Sequence, residues 1–74
     1  MNESQFNTYM QRARLIENDY SAGYQRGLRR RYHGEAFGTL SEHDKFMRLG
    51  LEGDYRTEMG RGYRDGFGGK PPSV

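Results

Sequence analysis

Gly23-Tyr24-Gln25-Arg26-Gly27-Leu28-Arg29-Arg30-Arg31-Tyr32-His33 holds both a fold signal and a charge signal. Its apolar residues Tyr24, Leu28 and Tyr32 stand four apart, the spacing of one helix face. Backwards along the chain the same spacing of three and four takes in Tyr20, Ile16, Ala13, Met10 and Phe6. Asn2 or Ser4 offers a capping oxygen at the start, and Gly34 stands where a left-handed residue ends a helix. The pattern predicts one helix over roughly residues 4–33, about 45 Å long at 1.5 Å per residue.

Forward of Gly34 the chain starts a second helix. Thr39-Leu40-Ser41-Glu42 has the form of a capping box, with Thr39 as N-cap and Glu42 three residues on. Leu40, His43, Met47, Leu51, Tyr55, Met59, Tyr63 and Phe67 then follow at helical spacing. Gly50, Gly53, Gly60 and Gly62 each weaken that helix by about 1 kcal/mol relative to alanine. Gly53 is the point where it is most open to division into two shorter helices. Gly66, Gly68, Gly69, Pro71 and Pro72 end it. Val and Ile occur once each, which argues against strands. The expected fold is therefore all-α: a long antiparallel helical hairpin over residues 1–67, with 68–74 a flexible tail. In that register Phe6 faces Phe67, Met10 faces Tyr63, Ala13 faces Gly60, Tyr20 faces Gly53 and Tyr24 faces Gly50.

Large residues thus meet small ones along the seam. The hexapeptide Gly23-Tyr24-Gln25-Arg26-Gly27-Leu28 recurs as Gly62-Tyr63-Arg64-Asp65-Gly66-Phe67, in the pattern Gly-Tyr-x-x-Gly-apolar. Two copies are too few for a solenoid. Glycines four apart clear a groove for a neighbouring helix or for a nucleic-acid backbone. Gly23, Tyr24, Gly27, Phe46 and Gly50 are the expected helix-packing residues.

The chain has 74 residues and no cysteine, so it is one domain without disulfides or thiolate metal sites. A core of this size is marginal without an external staple. Tyr9, Leu15, Leu49 and Tyr55 fall on the outer face of the hairpin, which argues for a symmetric dimer or a larger partner. No apolar run is long enough for a transmembrane span or a signal peptide, so a cytoplasmic protein without membrane contact is expected.

Net charge is only +2, but it is unevenly spread. Residues 1–37 hold six arginines against four carboxylates, and most of the excess lies in the tract from Arg26 to His33. Arg26, Arg29, Arg30 and His33 share one helix face, flanked by Arg31, Tyr32 and Lys45. Arginine forks match phosphate and stack on rings, and Tyr24, Tyr32 and Phe37 lie close enough to stack on unpaired bases. These are the candidate binding residues. A solvated helix end, favoured by its C-terminal dipole, is the competing explanation. Catalysis has little to stand on: His33 beside Glu35 and His43 beside Asp44 lack a nucleophile at any recognised spacing. No enzyme activity, cofactor, metal or small-molecule substrate is expected.

At Ala22-Gly23-Tyr24-Gln25-Arg26-Gly27-Leu28 the chain resembles the ribosome modulation factor family of small bacterial helical proteins. Phe37 with Thr39-Leu40 stands where that family has a Pro-aromatic pair and polar turn. Phe46 stands for its tryptophan, with Gly50 close to its following glycine. Ala36 replaces the proline, and the N-terminal twenty residues and the acidic second half are additions. The resemblance covers about 30 central residues; it implies a two-helix fold and binding to the ribosome or its RNA. The alternative is a phage-encoded inhibitor, such as an anti-CRISPR or other host-takeover protein. It would block a host protein or nucleoprotein, its contact being an acidic face around Leu51, Glu52, Asp54, Tyr55 and Glu58.

Overall fold

The computed structural model describes residues 1–73, and in it every regular element is helical. Four helices form in order: α1 (Glu3–Arg14), α2 (Asp19–His33), α3 (Leu40–Met47) and α4 (Thr57–Phe67). A 3₁₀ turn, Gly34–Ala36, joins α2 to α3. The all-α class stands.

Local chemistry explains three of these boundaries. Asn2 caps α1 with its side chain, and Gln5 returns the bond to complete a capping box. Thr39 caps α3, accepting from the Glu42 backbone N–H at 3.1 Å, as the sequence predicts. Gly34 closes α2 at φ 62°, a conformation open to glycine.

The single helix over 4–33 does not form. It is broken at residues 15–18, because Asn18 accepts a bond from the Ser21 backbone N–H at 2.8 Å and starts a new helix. Apolar spacing runs through this point undisturbed, but Leu15 is 87% exposed and belongs to no core. The Ser21 hydroxyl donates to the Ala13 carbonyl, fastening α2 back against α1. Asn18→Ala should cost about 1 kcal/mol in a urea titration, since the cap alone restarts the helix. A continuous 4–33 helix would leave the midpoint unmoved.

The expected second helix is also divided, around Gly53. Residues 48–56 form a loop in which Gly50 (φ 80°), Glu52 (φ 54°) and Gly53 (φ 86°) take left-handed backbone. The hairpin is therefore realised twice in miniature. Ala13 meets Ser21 and Phe6 stacks on Tyr32, so α1 runs back along α2. Phe46 stacks on Tyr63 and His43 meets Phe67, so α3 and α4 are likewise antiparallel.

Between the halves the direction is the reverse of the expected one. Gly23 lies against Met59 and Gly27 against Tyr63 and Phe67; Gly62 lies against Tyr20 and Tyr24, and Gly66 against Tyr24 and Leu28. Numbers rise together on both helices, so α2 and α4 are parallel. The facing pairs of one long hairpin are replaced: Gly60 sits on Leu49, Gly50 on Arg56 and Thr57, and Gly53 on nothing within 4 Å. The two Gly-Tyr-x-x-Gly copies face each other reciprocally. A Cβ on Gly27 would stand 2.9 Å from the Phe67 nitrogen, and one on Gly66 would stand 2.8 Å from the Leu28 nitrogen. The fold is two helix-loop-helix units whose Gly-Tyr-x-x-Gly copies meet reciprocally along the α2–α4 seam.

Met10, Ala13, Tyr20, Tyr24 and Leu28 form the main buried cluster, with Phe6 and Tyr9 against it. Leu49, expected outside, is 2% exposed beneath Gly60. Tyr9 is half-buried, whereas Leu15 and Tyr55 remain in solvent. The chain after Phe67 is not loose. Tyr24 donates to the Lys70 carbonyl at 2.6 Å, the Ser73 N–H donates to Tyr20 at 3.0 Å, and Pro72 is buried. Val74, the last residue of the expected tail, lies outside the described residues.

Candidate nucleic-acid interface

The basic residues of α2 separate into different surroundings. Arg26 is half-exposed, with its guanidinium carbon 4.6 Å from the Phe46 ring centroid and 5.8 Å from that of Phe37. Arg29 reaches the same Phe37 ring, at 6.0 Å. The α2-to-α3 turn thus places one ring within 6.0 Å of two guanidinium groups, a cation–π arrangement. Glu42 is the carboxylate nearest Arg26, at 3.8 Å, and both side chains are about half in solvent. Such a pair is weak. Among the described residues Arg29 has no carboxylate within ion-pair distance.

Arg30 is a correction to the expected face. It is 8% exposed and donates to the Gly38 carbonyl, tying the end of α2 to the turn. Arg31 caps the other helix: its Nη1 donates to the Phe67 carbonyl at 2.9 Å, and its guanidinium lies over Gly69. Both are explained by free carbonyls at helix ends and turns, which attract arginine donors. Tyr32 stacks on Phe6 at 4.4 Å, and His33 meets the same ring edge-on at 5.5 Å. They belong to the α1 side and are not gathered with Phe37. Lys45 lies on α3, exposed, beside Arg48 at the rim of the 48–56 loop.

The packing assignments Gly23, Tyr24, Gly27 and Phe46 fall on helix–helix contacts described above, whereas Gly50 is a left-handed loop residue against Arg56 and Thr57. Phe37 was legible as a stacking ring, but its sharing by two arginines was not, and the roles of Arg64 and His43 escaped the sequence. Phe37 as a shared platform depends on the 3₁₀ turn. Arg64 donates to the carbonyls of Met47 and Leu49 at 3.1 and 2.7 Å, capping α3 from α4. His43 sits 2.8 Å from the Tyr63 hydroxyl, with its pKa lowered by burial and then by the charge of Arg30. A free helix-end carbonyl two turns from an arginine is not visible in sequence spacing.

The acidic face is largely neutralised. Arg56 forks onto Asp54 at 2.7 and 3.1 Å and holds its carboxyl below the usual range, and Arg61 holds Glu58 at 2.8 Å. Among the described residues no group of three or more potential metal ligands comes together, and no helix is long and apolar enough to cross a membrane. No family model, curated protein or solved structure matches the chain.

Proposed function

We propose that this is a non-enzymatic RNA-binding protein whose grip is the Arg26–Phe37–Arg29 platform, with Lys45 adding charge from α3. The observation that carries this reading is the pair of guanidinium groups around Phe37, neither held by a strong ion pair. Guanidinium planes and aromatic rings stack on unpaired bases, and the same arginines bind phosphate. Single-stranded or looped RNA satisfies both, whereas a duplex conceals its base faces. The resemblance to ribosome modulation factors points to ribosomal RNA as the target and to modulation of translation as the outcome.

The phage-inhibitor reading through an acidic face has less support, because Asp54 and Glu58 already have arginine partners within this chain. Anisotropy with a labelled single-stranded RNA separates the two. Arg26→Gln with Arg29→Gln should weaken binding by about ten- to a hundredfold. It should also flatten the salt dependence by about 0.7 of a slope unit for each lost phosphate contact. Glutamine keeps helix propensity, so circular dichroism should not change. Unchanged affinity and slope would defeat this reading, and co-purification of a host protein lost on Glu52 or Tyr55 substitution would favour its rival. Sedimentation with ribosomes, sensitive to the same two arginines, tests the target.

A further inference from the structure

Arg30 presents a problem that its role as a clamp does not solve. A guanidinium has five donors. Here the Gly38 carbonyl is its one acceptor among the described residues, and no carboxylate lies within ion-pair distance. A charge buried to this degree without a counter-ion is costly. No buried side-chain nitrogen or oxygen lacks a partner, so the remaining Arg30 donors open onto accessible space. Arg30 borders a narrow cleft between α2, α3 and α4, which is lined also by Arg26, Thr39, Glu42, His43 and Tyr63. It has room for roughly one water-sized atom.

We propose that this cleft receives one oxygen of a tetrahedral phosphoryl anion, held by Arg30 within and by Arg26 and His43 at the mouth. The RNA reading above supplies the source of that phosphate, and the inference rests on it for that alone. Glu42 occupies the mouth in the free protein. Its ties are weak: the 3.8 Å pair with Arg26 and a 3.2 Å bond from the Thr39 hydroxyl, both near solvent. A phosphoryl group brings three oxygens to three donors, where a carboxylate brings two. Glu42 therefore yields, swinging outward as the anion enters. His43 reports the event. Its Nδ1 pairs with the Tyr63 hydroxyl at 2.8 Å, which leaves Nε2 as the ring nitrogen free to meet the anion, and the protonated ring donates from it. The ring faces Arg30 from α2, Tyr63 and Phe67 from α4, and Asp44 and Glu42 on its own helix. Negative charge beside Arg30 offsets the influence that lowers its pKa, so its titration midpoint rises.

The test is a titration of the full chain with inorganic phosphate at pH 7.5 and constant ionic strength, read by NMR. His43 ring and Arg30 Nε–H signals should shift saturably while the exposed His33 ring does not, and the His43 midpoint should rise when phosphate is present. Glu42→Gln should tighten phosphate about fivefold, and Arg26→Gln should weaken it by a similar factor. These exposed positions keep the test independent of folding. A His43 ring indifferent to phosphate, or shifts no larger than those of His33, would overturn the proposal. Oligonucleotides with and without a 5′-phosphate identify the source. Tighter binding of the phosphorylated strand assigns a terminal monoester, and equal binding that inorganic phosphate competes away assigns internal phosphodiesters. RNA binding that leaves His43 unmoved would sink the cleft and spare the platform. Phosphate binding without RNA binding would do the opposite.

Discussion

A chain carrying Gly27→Ala and Gly62→Ala together should lose its cooperative thermal unfolding transition. Each glycine belongs to one copy of the repeat, and each faces backbone of the other copy. A methyl on Gly27 would meet the Tyr63 carbonyl and the Phe67 nitrogen; one on Gly62 would meet the Tyr20 carbonyl and the Tyr24 nitrogen. Backbone cannot rotate away as a side chain can, so relief requires α2 and α4 to separate. Overpacking typically costs 1–3 kcal/mol when side chains can adjust, and here each substitution should cost about 3 kcal/mol or more. A domain of this length has roughly 4–10 kcal/mol in total. Helix propensity alone predicts the opposite sign, a gain of about 1 kcal/mol at each position. Calorimetry or circular dichroism on heating therefore distinguishes the two accounts without reference to magnitude. Gly38→Ala is the control. Its Cβ would meet only the Glu42 carboxylate at 3.9 Å, and it should leave stability unchanged or slightly raised.

The same glycines show how far the residues themselves revealed the fold. Their spacing of four told correctly that two helices approach backbone to backbone. It was silent about direction, because a Gly-x-x-x-Gly stripe packs equally well parallel or antiparallel. Direction is set by how many turns lie between α2 and α4, and that turned on the 48–56 loop. There Gly50, Glu52 and Gly53 take left-handed backbone and divide α3 from α4. The break at Asn18 lies before α2 and sets only how α1 returns along it. Tyr20, Ile16 and Ala13 keep helical spacing across the break, so the apolar pattern concealed it, while the cap that makes it was one polar residue among many. Thr39 was legible as a cap because the signal is local, within four residues, although the Glu42 carboxylate bonds the Thr39 hydroxyl and not its backbone N–H.

The proposed binding face was legible only in part, for a related reason. Arg29, Arg30 and Arg31 are adjacent, and each projects about 100° around the helix from the last. Their spacing places Arg30 with Arg26, which is correct, since both border the same cleft. It cannot show that the turn carrying Gly38 closes over Arg30 and leaves Arg29 at the surface. The burial that removes Arg30 from a phosphate-coated face is what makes it a candidate receptor for a single phosphoryl oxygen. The clamp on the Gly38 carbonyl uses one of the five guanidinium donors of Arg30 and leaves the others to a ligand.

Ending the chain after Gly69 should destabilise it by about 3 kcal/mol, although the removed residues include a proline pair and no helix. The loss has three parts. Tyr24 would lose its acceptor, the Lys70 carbonyl, while its ring stays fully buried. Tyr20 would lose the Ser73 N–H, keeping only its 2.7 Å bond to Asp65. Each lost bond is worth roughly 1 kcal/mol, and more where the abandoned hydroxyl stays out of water. Burial of Pro72 accounts for about another 1 kcal/mol. Burial pushes both phenols above their ordinary pKa, Tyr24 the further, so they remain protonated donors across the physiological range. The tail's contribution should therefore hardly vary between pH 6 and 9. Tyr24→Phe separates the parts: it removes one bond, keeps the ring in the core, and should cost about 1 kcal/mol. A truncated chain with the urea midpoint of the full one would return residues 70–73 to the status of a loose end. A loss confined to Tyr24→Phe would place the effect in the core instead of the strap. The expected order is truncation well below Tyr24→Phe, and Tyr24→Phe below the intact chain. It follows from two tyrosines, one in each of two successive turns of α2, that hold one segment of backbone between them.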